Sequence, residues 1–255
     1  MGDTPRVATL YDGTAGDELA RRLDVPQVAV FESISSTQDI AHEMAAAGAS
    51  AGTVVIANSQ QAGRGRMGRA WTSDSDRGIW MTLVERPTDH SALQVLSLRV
   101  GLRLAAALDR FADHAVQVKW PNDLLVRGQK VAGILIEVRW HADRPAWIAI
   151  GVGINVALPS NEPDAGALAP TAKSRIDILE EIVPAVRGAA AARGAFTSGE
   201  LTSFAARDAA RGRMAVAPGR GRVEGIDAEG RLLIVGENGV VHFGSGSLVL
   251  EDASS

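Results

Sequence analysis

The alternation of apolar and polar positions resolves the first two thirds of the chain into strands and helices separated by turn residues. Leu19 and Leu23 give a short amphipathic pattern in an entry segment that ends near Asp24, and Gln27 to Phe31 is a run of β-formers that predicts a strand. The first clear helix begins at Ser36. Ser36 followed by Asp39 resembles a capping box, Ile40 and Met44 form an apolar stripe at i, i+4, and Gly48 is placed to end it. Thr53 to Ala57 reads as a short buried strand. From Asn58 to Arg77 no period survives, which predicts a long exposed connection. Ile79 to Val84 reads as a strand, and Leu93, Leu96, Val100, Leu104, Leu108 and Phe111 mark a long core-facing helix. Three further strands are predicted over Val116 to Trp120, Val131 to Val138 and Trp147 to Val156. The turns Arg127-Gly128-Gln129 and His141 to Pro145 make them hairpins, so the sheet should be mostly antiparallel.

Pro159 to Thr171, rich in Pro, Asn, Asp, Gly and Ala, reads as a mobile loop, followed by helices over Arg175 to Arg193 and Gly199 to Arg211. The composition changes near Gly212. Beyond it short β patterns recur at Met214 to Ala217, Arg222 to Ile226, Leu232 to Val235, Val240 to Phe243 and Ser247 to Leu250, separated by turns at 227–230 and 237–239. That spacing predicts a small all-β barrel packed on the main body, because so few residues bury little surface alone. The fold class expected is α+β: a mixed, mostly antiparallel sheet flanked by helices over 1–211, and a small barrel over 212–255.

Composition narrows what such a fold can do. At 255 residues and 46% hydrophobic content the chain can bury a full core. The formal charge of −4 argues against a surface devoted to nucleic acid or anionic lipid, so any anion site must be local. With no cysteine there are no disulfides, thiolate metal sites or cysteine nucleophiles, and a reducing compartment is permitted. The N-terminal residues lead into no apolar signal core, and no run approaches the ~20 apolar residues that span a bilayer. A cytoplasmic protein with no membrane partner is expected.

Candidate chemistry concentrates in four segments. Gly63-Arg64-Gly65-Arg66-Met67-Gly68 matches G-x-G-x-x-G by letter, but it leads through polar loop into a strand, whereas a dinucleotide fingerprint opens a helix after a strand. A Gly-Arg nucleic-acid arm is a second reading, yet such arms are repeated tracts in basic chains. A solvated loop is the plain alternative. Against it stand three arginines and no acid between Gln60 and Trp71, with glycines that let backbone N–H groups converge on an anion. Lys119-Trp120-Pro121-Asn122-Asp123 and Lys130 to Glu137 place two lysines at element edges. Lysine suits phosphate, although turn chemistry and strand-edge protection explain each segment by itself. Gly151-Val152-Gly153-Ile154-Asn155 leaves one strand face bare, open to a flat ligand or to close packing, with Asn155 offering a donor and an acceptor.

Taken in order, Ser36-Thr37-Gln38, Gln60 to Trp71, Lys119 to Asp123, Lys130 to Leu135 and Gly151 to Asn155 resemble the motifs of biotin protein ligases. The resemblance spans nearly the whole chain. It implies a fold related to class II aminoacyl-tRNA synthetases with an SH3-like barrel at the C-terminus. The implied reaction joins biotin and ATP into biotinyl-5′-AMP and pyrophosphate, with Mg²⁺ arriving with ATP since no metal motif is present. Biotin then passes to one lysine of a biotin carboxyl carrier domain of a biotin-dependent carboxylase. The implied biotin site comprises Ser36, Thr37, Gln38, Gln60, Gly63, Arg64, Gly65, Arg66, Trp80, Lys130, Gly133 and Leu135. The implied adenylate site comprises Arg66, Arg69, Trp71, Asn122, Lys130, Ile134, Gly153 and Asn155. Gln38 replaces the family's usual Asn, and Trp80 stands where a smaller aromatic is common. The segment before Gln27 is too short for the helix-turn-helix of many bacterial members, so DNA is not an expected partner. A lipoate ligase shares the implied fold and chemistry and is the closest rival.

Within that resemblance each group takes a role. A carboxylate attacking a polyanion meets ~4 kcal/mol of repulsion between unit charges about 4 Å apart at an effective dielectric near 20. Arg64 and Arg66 are expected to hold the acid and the α-phosphate, Lys130 to neutralise the charge that builds between them, and Arg69 to meet the outgoing pyrophosphate. Thr37, Ser36 and Gln60 would meet the ureido ring, with Trp80, Ile134 and Leu135 as walls. Asp123 is a candidate to accept the proton of the attacking lysine. The Gly-Arg loop is expected to order over the mixed anhydride as a lid, with Met67 dispensable.

Overall fold

The computed structural model describes residues 6–160, 162, 165–168 and 174–251. In chain order the elements begin with three short strands, β1 (Arg6–Val7), β2 (Leu10–Tyr11) and β3 (Thr14–Ala15), and the helix α1 (Gly16–Arg22). β4 (Val28–Ile34), α2 (Thr37–Ala46), β5 (Val54–Gln60), β6 (Gly78–Glu85) and α3 (Leu96–Leu108) follow, then β7 (Gln117–Lys119), β8 (Asp123–Val126), β9 (Gln129–His141) and β10 (Arg144–Asn155). The helices α4 (Arg175–Ala190) and α5 (Ser198–Arg207) lead to β11 (Met214–Ala217), β12 (Gly221–Ile226), β13 (Leu232–Gly236), β14 (Gly239–Phe243) and β15 (Val249–Leu250).

Eight strands form one sheet in the order β1-β4-β5-β6-β10-β9-β8-β7. Among the described residues β4 and β5, joined by α2, are the only neighbouring strands of this sheet that run parallel; its other ladders are antiparallel. The expected mixed, mostly antiparallel sheet with flanking helices is what forms. The β8–β9 hairpin turns on Arg127 and Gly128, both at positive φ (52° and 80°), as a two-residue turn of that hand requires. The N-terminal β2–β3 hairpin was not expected from the sequence, although its Asp12-Gly13 turn, at φ 46° and 77°, is the strongest short hairpin signal available.

Some boundaries differ for identifiable reasons. Ser36 caps α2 by accepting from the Gln38 N–H at 3.3 Å, not through a box with Asp39, because the Asp39 carboxylate is drawn to Arg64. True capping boxes occur at Ser174/Asp177 and Thr197/Glu200, at the starts of α4 and α5. α3 is shorter than the apolar stripe suggested, since residues 109–111 tighten into a 3-10 turn. Within the expected Pro159 to Thr171 loop, residues 161, 163–164 and 169–171 lie outside the described residues.

The two faces of the sheet have different duties. Val54 and Ile56, Ile79, Met81 and Leu83, Ala132 and Ile134, and Ile148, Ile150, Val152 and Ile154 point to one side, where they form the main core with α1, α3 and α4. The alternate positions Val55, Ala57 and Val84 meet Ile40, Ala41 and Ala45 of α2 on the other side, in a much smaller cluster. Beyond the reach of α2 this second face stays open.

At the C-terminus five strands make an antiparallel sheet in the order β14-β13-β12-β11-β15. No ladder joins β14 to β15 among the described residues, so the five strands are described as an antiparallel sheet without the closure that the expected small barrel would bring. Its Ala215, Val223, Leu232, Ile234 and Leu248 belong to the same continuous core as the main body, and Trp120 donates its indole N–H to Gly230 O at 3.1 Å. No described helix is long and apolar enough to cross a membrane.

One buried cation ties α3 to the start of α5. Arg99, 1% exposed, donates to Glu200 Oε1 and Oε2 at 2.6 and 3.1 Å and to the carbonyls of Gly194 and Ala195. The Arg99 hydrogen bond, opposed by burial and aided by Thr197, holds the Glu200 carboxyl down at about 2, from 4.5. A carboxylate whose folded pKa is depressed stabilises the fold above its unfolded pKa and loses that contribution as pH falls through the folded one. Urea titration of Glu200→Gln should therefore show a loss of about 3 kcal/mol at neutral pH. The loss should shrink between pH 4.5 and about 2; a pH-independent difference would remove the pair from the stability argument.

Candidate active site

The open part of the second face is a cleft of about 490 Å³, bounded by α2, the Gly-Arg loop, β8, the floor strands β6, β9 and β10, and residues 247–250 of the C-terminal sheet. Strand alternation chose its floor. Because Ile134, Val152 and Ile154 point into the main core, their neighbours Gly133, Leu135, Gly151 and Gly153 face the cleft, opposite Trp80 of β6.

The inner end is neutral and hydrogen-bonded. Gln60 Oε1 accepts from the Thr37 N–H at 2.8 Å and from its hydroxyl at 3.1 Å, while Gln60 Nε2 donates to Ser73 Oγ at 2.8 Å. Thr82 Oγ1 donates to Thr37 Oγ1 at 2.9 Å, so the orientation of this amide is set from both sides. Gln38 donates to Leu135 O at 3.2 Å and its amide lies against Gly151, while its Oε1 is buried with no hydrogen-bond partner among the described residues. A buried amide oxygen without a donor costs about 1–3 kcal/mol.

The outer end is cationic. Arg64, Arg66, Arg69, Lys119, Lys130 and Arg213 line it, against one carboxylate, Asp123. Lys130 Nζ lies 2.6 Å from Asp123 Oδ1 and 5.0 Å from the centre of the Trp71 ring. Burial pushes Arg66 down from its ordinary value, with Asp123 opposing and Arg69 adding to the shift.

Between the two ends sits Trp71. A Cβ at Gly153 would come within 2.6 Å of its ring and one at Gly133 within 2.8 Å, so the indole lies directly on the bare glycines. The flat group that the glycine pattern invites is thus supplied by the chain itself. The Trp71 indole N–H is buried against Gly153 with no hydrogen-bond partner among the described residues.

The Gly-Arg loop is more ordered than its composition suggests. Arg64 and Ala70 form a bridge, Gly65 N–H donates to Arg69 O at 2.7 Å, Trp71 N–H donates to Gly63 O at 2.8 Å, and Met67 and Gly68 turn at φ 57° and 74°. It is a narrow hairpin. Its arginines are anchored apart: Arg64 pairs with Asp39 of α2 at 2.6 Å and Glu137 of β9 at 3.6 Å, Arg66 donates to Gly246 O at 3.3 Å, and Arg69 donates to Ser247 Oγ at 2.5 Å. Glu137 also meets His42 Nε2 at 2.7 Å, and His42 Nδ1 accepts the Trp147 indole N–H at 2.9 Å, which puts the ring proton on Nε2.

Most sequence-derived candidates converge here. Thr37, Gln38, Gln60, Arg64, Gly65, Arg66, Arg69, Trp71, Trp80, Asn122, Asp123, Lys130, Gly133, Leu135 and Gly153 all line the cleft. Ile134 lines it through its backbone, which exchanges hydrogen bonds with Asn122 at 3.0 and 2.9 Å, whereas its side chain reaches toward Gly101 of α3. Ser36, Gly63 and Asn155 lie outside the lining. Ser36 caps α2, Gly63 leaves room for Ser73 and Gln60 (2.9 and 3.0 Å from an added Cβ), and Asn155 holds the carbonyls of Gly166 and Lys130. Ser73, the His42–Glu137–Trp147 chain, Arg213 and residues 247–250 were not expected. Only the proximity of Ser73 to Trp71 gave any sequence cue; the rest is distant pairing.

The chain is similar to known proteins. Residues 30–155 match the biotin/lipoate A/B protein ligase family, and residues 217–250 match the biotin protein ligase C terminal domain. The bifunctional ligase/repressor BirA of Bacillus spizizenii is 43% identical over 133 residues, 51% of this chain and 41% of that protein. The biotin--[acetyl-CoA-carboxylase] ligase of Mycobacterium tuberculosis is 36% identical over 163 residues, 62% and 56% of the two chains. The chain thus spans about half the length of the curated relatives it matches. In overall fold it is similar to the biotin protein ligase of Aquifex aeolicus solved in complex with biotin and ATP, with a TM-score of 0.72 at 23% identity over 89% of this chain and 99% of that one.

The seat of Trp71 is directly testable. Gly153→Ala should displace the indole, shifting tryptophan emission to the red and raising acrylamide quenching, with the far-ultraviolet spectrum unchanged. In a Trp71→Phe background the same substitution should have no such effect. An emission change that persists without Trp71 would place the contact elsewhere.

Proposed function

We propose that this chain, which belongs to the biotin/lipoate A/B protein ligase family through residues 30–155, activates biotin with ATP and transfers it to a lysine of a biotin carboxyl carrier domain. The observation that carries this reading is the division of one cleft into a neutral hydrogen-bonding end and a cationic end. A ligand with an uncharged urea at one end and a carboxylate at the other, joined to a nucleotide, has the same division. Catalytic work is assigned to residues 1–211, with 212–255 as a second unit.

The inner end selects the acid. Gln38 and the set amide of Gln60 offer acceptors and donors to a ureido ring, and Trp80 and Leu135 supply apolar wall. At the outer end the carboxylate attacks the α-phosphorus of ATP, forming the acyl–phosphate bond and releasing pyrophosphate. Arg66, and Arg64 once drawn from Asp39 and Glu137, hold the two anions together; Lys130 neutralises the charge that accumulates between them, and Arg69 faces the leaving pyrophosphate. Trp71 offers its ring to the adenylate.

Magnesium would travel with the nucleotide. Among the described residues no three His, Asp or Glu side chains converge, and the one cleft carboxylate is paired with Lys130, so the protein supplies no cage of its own. For transfer, the acceptor lysine must lose a proton before its nitrogen attacks the acyl carbon and AMP departs. Asp123 is placed to accept that proton once Lys130 turns to phosphate.

Lys130→Met should lower biotin-dependent pyrophosphate release about 10³-fold, the rate equivalent of ~4 kcal/mol of lost charge stabilisation. Near-normal release by that variant would refute the role of Lys130. Pyrophosphate release by the unmodified chain with biotin but not lipoate, followed by label transfer to a carrier domain, supports the activity itself; preference for lipoate would overturn it.

A further inference from the structure

The cations of the cleft are not equally satisfied. Arg64 and Lys130 carry carboxylate partners, and Arg66 and Arg69 donate to a carbonyl and a hydroxyl of residues 246–247. Lys119, the last residue of β7, and Arg213, which immediately precedes β11, have no hydrogen bond or ion pair through their side chains among the described residues. They nevertheless sit close enough to act on each other. Lys119 is pushed below its ordinary value first by burial, against the pull of Asp123, and then by the charges of Lys130, Arg213 and Arg69.

Such an arrangement costs energy. A half-buried lysine faces three further cations, and the single acid nearby is paired to Lys130. The main chain offers no relief, because it holds Arg213 in place: its N–H donates to Ala210 O at 3.0 Å, and its carbonyl accepts from Val223 N–H at 2.9 Å. Glu251, whose N–H bonds to the adjoining Met214 O, has its carboxylate on Arg220 at 3.3 Å and leaves Arg213 unneutralised. In a chain with a net charge of −4, an unpaired cluster of this kind is the signature of a polyanion seat.

We propose that Arg213, supplied by the C-terminal unit, joins Lys119 to hold the terminal phosphates of the nucleotide and the pyrophosphate released from it. The proposal rests on the acid-activating reading above and extends it to a residue of the second unit. The C-terminal sheet is then a working wall of the cleft: Arg66 and Arg69 of the hairpin rest on residues 246–247, and Arg213 closes the polyphosphate end from the same side. A guanidinium there can take two phosphate oxygens at once, whereas Lys119 contributes a point charge.

The probe is inorganic pyrophosphate, with ATP titrated in parallel on the full chain. Arg213→Ser should raise both the inhibition constant for pyrophosphate and the KM for ATP about tenfold, as loss of one charge-assisted contact predicts. Arg213→Lys should restore part of each. Biotin affinity measured without nucleotide, and the thermal midpoint, should stay at their parental values, which separates a lost contact from a damaged fold. Unchanged pyrophosphate inhibition and KM for ATP in Arg213→Ser would overturn the proposal, as would an effect confined to the KM for the carrier domain. If the unmodified chain releases no pyrophosphate with biotin, the activation reading fails first; direct calorimetry of pyrophosphate on parent and Arg213→Ser then still decides whether this is a polyanion seat.

Discussion

Everything in the cleft depends on the two-residue period of β9 and β10. Where one face must bury Ala132, Ile134, Val152 and Ile154, the opposite face is presented at 133, 135, 151 and 153, and three of those four positions are glycine. A side chain at Gly153 or Gly133 would collide with Trp71, and one at Gly151 would crowd Gln38 at 3.2 Å. The bare floor therefore does not wait for a ligand alone; it seats an indole and an amide that the ligand then meets. Core packing and ligand recognition are two sides of one register, so a one-residue slip would destroy both.

This explains why some of the site was legible in the sequence and some was not. The Gly-x-Gly pattern, the arginine-glycine loop and the two lysines are local signals, and the cleft gathers them. Assigning Ile134 and Leu135 together as walls ignored the alternation that sends one to each face. Gly63 invited a reading as a backbone donor, but its lack of a side chain serves the Gln60–Ser73 contact. Asn155 looked free to read a base edge, yet it is 5% exposed and holds two carbonyls. In each case the residue type was informative about what it could do, and only tertiary neighbours decided which option it took.

The C-terminal strands show the opposite limit. Their turn residues and short β runs were readable, so five strands were expected where five occur, but closure of a sheet depends on how its edges pair. No local signal carries that. Nor could spacing reveal that residues 246–247 would receive Arg66 and Arg69 across sequence separations of 180 and 178. The Gly-Arg segment, expected to order over the mixed anhydride as a lid, is a self-paired hairpin with contacts to α2, β9 and the C-terminal sheet.

The way charges are distributed orders these contacts by purpose. Arg64 is held by Asp39 and Glu137, and Glu137 is in turn held by His42, which accepts from Trp147, so this cation is restrained by a chain of partners. Lys130, near the centre, is restrained by one carboxylate at 2.6 Å and rests over Trp71. The side chains of Lys119 and Arg213 have no hydrogen bond or ion pair among the described residues. On the proposed function this uneven restraint would leave Arg64 and Lys130 paired until an anion competes for them, with Lys119 and Arg213 open to the most charged part of the ligand.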